Sequence, residues 1–135
     1  MNLTKNFKLE EFACHDGTPV PEQYLGNVQI MANNLQKIRD SIQNDYGFDL
    51  PIVIVSGYRT PAHNKECGGE KNSFHMKAMA ADIKVKLFKP LELRNIIGHL
   101  IEKGLIAQGG LGLYDNWVHY DVRQWKARWD KMTAK

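Results

Sequence analysis

The chain has 135 residues, 43% of them hydrophobic and 24% charged, and a formal net charge of +3. That length supports one domain spanning 1–135, built around a single core. The composition excludes several classes. No apolar run is long enough to cross a bilayer, no lysine- or arginine-rich block with interleaved aromatics marks a nucleic-acid surface, and Cys14 and Cys67 are too few for a disulfide framework.

The opening "MNLTKNFKLEEFACHDG" lacks the apolar core and cleavage site of a secretory signal, so either synthesis in a cytoplasm with free thiols or a signal already removed is expected. Residues 1–19 read as an irregular arm with one amphipathic turn, closed by Gly17, Pro19 and Pro21. From Pro21 to Tyr46 the apolar residues Tyr24, Val28, Met31, Leu35, Ile38 and Ile42 fall on one helical face, and Gly47 is a suitable stop. "PIVIVSGYR" predicts a strand ending at Ser56-Gly57. "TPAHNKECGGEKNS" reads as loop, with a helical turn opened by Thr60 and Pro61. Ala80 to Val85 reads as a strand, and Pro90 to Lys103 as a second amphipathic helix. "AQGGLGLYDNWVHYDVR" gives two strands joined at Asp115-Asn116. In the tail, 124–135, Trp125 and Trp129 lie four apart, a spacing that predicts a short terminal helix. The whole pattern argues an α+β fold, a small and mainly antiparallel sheet packed against two amphipathic helices.

Strand alternation then isolates a group of polar side chains. His119, Asp121 and Arg123 share one face of "WVHYDVR", opposite Val118, Tyr120 and Val122. In "AADIKV", Asp82 points away from Ala81, Ile83 and Val85, and His75 lies seven residues before it. If these strands are neighbours, Asp82 approaches His119 and His75 folds over the same spot. Two imidazoles and a carboxylate suit a catalytic zinc ion with an open fourth position. The spacing alone is met equally well by two half-exposed histidines and a surface acid.

Three stretches in order, "SGYRTPAHN", "GG…SFHMKAMAADI" and "GGLGLYDNWVHYDVR", resemble the zinc D-alanyl-D-alanine carboxypeptidase family. That family includes vancomycin-resistance D,D-dipeptidases and phage L-alanyl-D-glutamate endopeptidases, and shares the fold of the Hedgehog signalling domain. The similarity runs from about Asn6 to Arg123 and is greatest to the short bacterial and prophage members that act on peptidoglycan. It implies zinc ligands at His75, Asp82 and His119, and an arginine over the metal at Arg59, where a guanidinium can stabilise a developing oxyanion. It also implies a substrate contact at Ser73, which as a bare sequence feature equally caps the turn before His75. Tyr58 lines the cleft or joins the core.

Two positions depart from the pattern. Several branches carry an acid three residues before the final histidine; here that residue is Asn116, which is no base. Asp121, and less directly Asp115, remain as proton carriers, although Asp121 equally suits a role orienting His119. Ala78 stands where the family usually has glycine. His63 and Cys67 are a legitimate zinc pair without matching partners, and read as structural or cleft-lining; His15 and His99 carry no role.

The resemblance therefore implies a monomeric zinc metallopeptidase that cleaves a peptidoglycan stem peptide beside a D-amino acid, acting on the wall after release or export. Asn116 motivates the rival, a zinc-containing module that binds wall peptide without cutting it. A phage or prophage lysis endopeptidase is the third reading.

Overall fold

The computed structural model describes residues 1–133. Its helices are α1 (Leu25–Tyr46), α2 (Pro61–Glu66) and α3 (Pro90–Glu102); its strands are β1 (Ile52–Ser56), β2 (Ala80–Val85), β3 (Gly110–Leu113), β4 (Val118–Asp121) and β5 (Ala127–Asp130). The strands form one sheet in the order β1-β2-β4-β3-β5, antiparallel except for the parallel pair β3 and β5. This is the expected α+β class, with a mixed sheet.

The apolar stripe of α1 forms as its spacing requires: Val28, Met31, Leu35, Ile38 and Ile42 are all buried. They share one core with Leu93, Ile97, Leu100 and Ile101 of α3 and with Ala81, Ile83, Val85, Val118 and Tyr120 of the sheet. Burying each large aliphatic side chain contributes about 1.5–3 kcal/mol before entropy is counted. Gly47 ends α1 in the left-handed conformation, φ 78°. In α3, Pro90 occupies the first turn and Glu92 accepts from the Lys89 N–H at 2.8 Å. Because both helices belong to one face of the sheet, Asp82, Lys84 and His119 are left on the other.

The N-terminal arm is irregular, as expected, but well anchored. Phe7 and Phe12 are 1% exposed, and the Phe12 carbonyl accepts from the Tyr58 N–H at 2.8 Å. Gly57 permits this approach, since a Cβ there would stand 2.9 Å from the Phe12 backbone.

The tail corrects one expectation. The structure has β5 where the Trp125/Trp129 spacing predicts a helix; residues 134–135 of that tail lie outside the described residues. A segment this short cannot sustain a helix by itself, whereas β3 offers a free edge and two glycines. A Cβ at Gly112 would collide with the Trp129 indole, so the bare backbone of β3 is the seat for that ring. Tertiary packing decided the conformation.

The short 3-10 turn Phe74–Lys77 closes at Ala78, which adopts φ 55° and is buried. Left-handed alanine costs roughly 1–2 kcal/mol. Ala78→Gly removes that strain but loses a buried methyl, about 0.8 kcal/mol, and adds freedom to the unfolded chain. Urea titration should therefore find Ala78→Gly within about 1 kcal/mol of the parent, while the branched Ala78→Val loses more than about 2 kcal/mol.

Candidate metal centre

One rung of the sheet carries most of the site. Ser56 of β1 pairs with Asp82 of β2, Asp82 with His119 of β4, His119 with Gly112 of β3, and Gly112 with Trp129 of β5. The register shift between Ile54 and Ser56 re-aims the end of β1 toward Asp82. His75 arrives from outside the sheet, on the 3-10 turn whose start is capped by Ser73 Oγ accepting from the His75 N–H at 3.2 Å.

His75, Asp82 and His119 are 2%, 4% and 7% exposed. One carboxylate oxygen faces both rings: Asp82 Oδ1 lies 3.3 Å from His75 Nε2 and 3.1 Å from His119 Nδ1. One ligand atom from each residue falls within 4.8 Å of the other two. Tetrahedral ligands about 2.0–2.1 Å from a zinc ion stand about 3.3 Å apart, so the three donors fit such an ion.

The remaining ring nitrogens fix the tautomers. His75 Nδ1 donates to the Gly57 carbonyl at 2.8 Å, which leaves Nε2 for the cluster. His119 Nε2 donates to Asp121 Oδ2 at 2.7 Å, which leaves Nδ1. Buttressing of this kind, by a carbonyl or carboxylate on the far side of the ring, holds metal-binding imidazoles in orientation and raises their basicity.

Burial sets the charge states against opposing hydrogen bonds. It pulls His75 below the usual histidine range and outweighs the attraction of Asp82. Burial acts the same way on His119, but the bonds to Asp121 and Asp82 outweigh it and raise this ring. For Asp82 burial is opposed by both imidazoles, and its carboxyl is held well below the ordinary range.

Arg59 reaches the cluster from beyond β1. Its Nη2 donates to Asp82 Oδ2 at 3.1 Å, Nε to Ser56 Oγ at 3.1 Å and Nη1 to Asn64 Oδ1 at 3.3 Å. Three of five N–H donors are thereby used, and one on each terminal nitrogen remains free. The guanidinium pins the second oxygen of Asp82 so that the first faces both histidines.

Asp121 is fully buried and saturated. Oδ1 accepts from Gly110 N, Arg123 N and Arg123 Nε, and Oδ2 from His119 Nε2 and Arg123 Nη2. It stands on the edge of the imidazole opposite the ligand nitrogen. This corrects its expected role: Asp121 orients His119 and is not placed to move a proton at the metal's open side. Asp115 is corrected too. It is exposed, and its two oxygens accept from the Thr133 N–H and hydroxyl at 3.0 and 2.8 Å, so it anchors the C-terminal segment. Tyr58 belongs to the core, 6% exposed and facing Tyr24, rather than to a cleft. His63 Nε2 on α2 and Cys67 Sγ at the end of that helix contact each other at 3.3 Å and take no part in the centre.

Four contributors escape the sequence reading. Ser56, Asn64 and the Gly57 carbonyl act through backbone placement, which no spacing encodes. Trp129 lies with its ring 5.0 Å from that of His119 and donates to Tyr114 Oη at 3.0 Å; reading the tail as a helix hid it. Arg123 was visible, since it alternates onto the face of His119 and Asp121.

Compared with known families, the chain matches Peptidase M15 over residues 5–121. The chain belongs to the Peptidase M15 family. The match ends at Asp121 and so spans every ligand candidate of this M15 chain together with the residue that buttresses His119. None of the curated proteins compared with it matches.

Two outcomes follow for this M15 protein. Because a metal must displace the proton held by the raised His119, zinc affinity measured by competition with a chelator should rise with pH through the histidine range, about tenfold per unit for each proton released. Asp121→Asn should weaken zinc binding about 10–100-fold, and should also destabilise the fold by about 3 kcal/mol, because the Arg123 guanidinium loses its buried partner.

Proposed function

We propose that this protein is a zinc-dependent peptidase that hydrolyses a peptide bond in bacterial peptidoglycan stem peptides, beside a D-amino acid, in the manner of a D-alanyl-D-alanine carboxypeptidase. The observation that carries the reading is Asp82 Oδ1 lying within 3.3 Å of two imidazole nitrogens whose opposite edges are fixed. His75 Nε2, Asp82 Oδ1 and His119 Nδ1 are the proposed ligands. A zinc ion held there supplies Lewis acidity, which activates water and polarises a carbonyl.

The chain's own residues do the rest. Arg59 turns its two free N–H groups to the scissile carbonyl oxygen and stabilises the negative charge that develops there. Ser73, half-buried beside His75, presents its hydroxyl to the substrate backbone while its oxygen caps the turn. Asp121 keeps the Nε2 proton of His119 in place throughout.

A second reading draws support from the acids. Asp121 is saturated behind His119, and Asp115 is bound to Thr133 in the exposed turn before β4, so neither acid is placed to carry a proton at the open side, which suits a metal-containing module that binds wall peptide without cutting it.

Incubating the zinc-loaded protein with purified muropeptides, followed by mass spectrometry, separates the two. The peptidase reading expects new fragments, about one zinc per chain by elemental analysis, and loss of both in His119→Ala. Arg59→Lys should retain zinc yet lower turnover by about 100-fold, because an ammonium cannot hold Asp82 and the carbonyl together. Unchanged hydrolysis by a zinc-free His119→Ala protein sinks the proposal, and tight zinc with peptide affinity but no fragments favours the module.

A further inference from the structure

Away from the metal centre, helix α2 gathers three chemically complementary side chains. Cys67 follows the helix as its C-terminal cap and is exposed. His63, one turn earlier, brings Nε2 to 3.3 Å from the Cys67 sulfur. Glu66 brings Oε2 to 3.8 Å from the other ring nitrogen, Nδ1. The order carboxylate, imidazole, thiol follows from helix geometry, because residues three and four apart share a face.

The imidazole between them is held in place. The His63 side chain is 18% exposed, and its ring packs 5.9 Å from that of His15. His15 is fixed in turn, with Nε2 at 2.6 Å from the Val55 carbonyl. A helix as short as α2 has little stability of its own, so its anchors set its position. Thr60 Oγ1 accepts from the His63 N–H at 3.1 Å and donates to Asp16 Oδ2 at 2.9 Å. The buried Asn64 donates from Nδ2 to the Glu70 carbonyl at 2.9 Å, and its own carbonyl accepts from the Gly69 N–H at 2.9 Å.

With the ring proton on Nδ1, facing Glu66, the Nε2 lone pair is left for the Cys67 S–H. A surface cysteine by itself is ordinary. A thiol with a base at hydrogen-bond distance, and a carboxylate behind that base, is the arrangement that activates a nucleophile. The space around it is open: a Cβ at Gly68 would meet nothing within 4 Å. Lys65, Glu66, Glu70 and Lys71 balance one another in charge nearby. An exposed sulfur in open, electrically balanced surroundings suits a small electrophile that needs no enclosing pocket, and a disulfide is the electrophile whose reaction requires only a thiol and a place for its proton.

We propose that Cys67, activated by His63 and Glu66, is a modification site that exchanges with small disulfides to form a mixed disulfide. As the sulfur attacks, its proton passes to His63 Nε2. A bond forms between Sγ and one sulfur of the incoming disulfide, the original S–S bond breaks, and the departing thiolate takes the proton back from the ring. One disulfide is consumed and one is made, so no further oxidant enters. None of the three residues belongs to the metal centre, and the site stands apart from the peptidase reading.

The experiment measures adduct formation near neutral pH in the full-length protein. The reagents are hydroxyethyl disulfide, which is neutral, and glutathione disulfide, which is anionic; peptide mass mapping assigns adducts to Cys67 or Cys14. In the folded protein Cys67 should react about tenfold faster than in the same chain unfolded in urea. Cys14, 4% exposed, should stay unmodified until the chain unfolds. His63→Gln, its fold verified by circular dichroism, should lower the Cys67 rate to that of the unfolded chain. Glu66→Gln should fall between the two, and about 1 M salt should bring the parent down to the Glu66→Gln rate, because an exposed carboxylate acts through a charge that salt screens. The faster of the two reagents names the class of disulfide that the site favours.

A folded protein whose Cys67 reacts no faster than in urea overturns the proposal. So does a folded His63→Gln protein that keeps the parent rate. The comparison with the unfolded chain needs no variant, so it decides even where His63→Gln does not fold.

Discussion

A single buried oxygen organises this molecule's chemistry. Asp82 lies on a strand flanked on both sides, 4% exposed, and a carboxylate there is tolerable only if its desolvation is offset. The two imidazoles on Oδ1 and the guanidinium on Oδ2 provide that offset. The arrangement is also what a cation requires: three donors converging, with their charge already concentrated. The helices on the opposite face supply the rigid floor that keeps the rung from relaxing.

Around this oxygen the supports come in layers. Gly57 and Asp121 fix the two rings from behind, Ser56 and Asn64 fix Arg59, and Arg123 fixes Asp121. Arg123 in turn lies against the Phe74 ring at 4.6 Å, which ties the end of β4 to the turn that carries His75. No member of the set moves without disturbing another. Such mutual support is how a weak local preference becomes one defined geometry.

Much of this was legible in the sequence, for reasons particular to each element. The heptad-like stripe of α1 and the alternation in β2 and β4 are local patterns; they put Asp82 and His119 on matching faces, and the pairing of the two strands, which no local pattern encodes, sets them opposite each other. The positive φ at Ala78 accords with the glycine that the family resemblance implies at that position. The fate of the tail was not legible. Trp129 reads as helical until β3 is known to be half glycine, and that fact matters only once the two segments meet. The alternation of β4 offered Asp121 both as a proton carrier and as the partner that orients His119, and only the bonds on its oxygens decide between them; the role of Asp115 was hidden, because its partner Thr133 lies at the far end of the chain.

The seating of Trp129 has a practical side. Its indole lies 5.0 Å from the ring of His119, held there by the bare backbone of Gly112 and by Tyr114. The protein thus carries its own fluorophore at the door of the cluster. A copper or cobalt ion entering between the histidines would drain that emission, so occupancy can be followed by light alone, with no label attached.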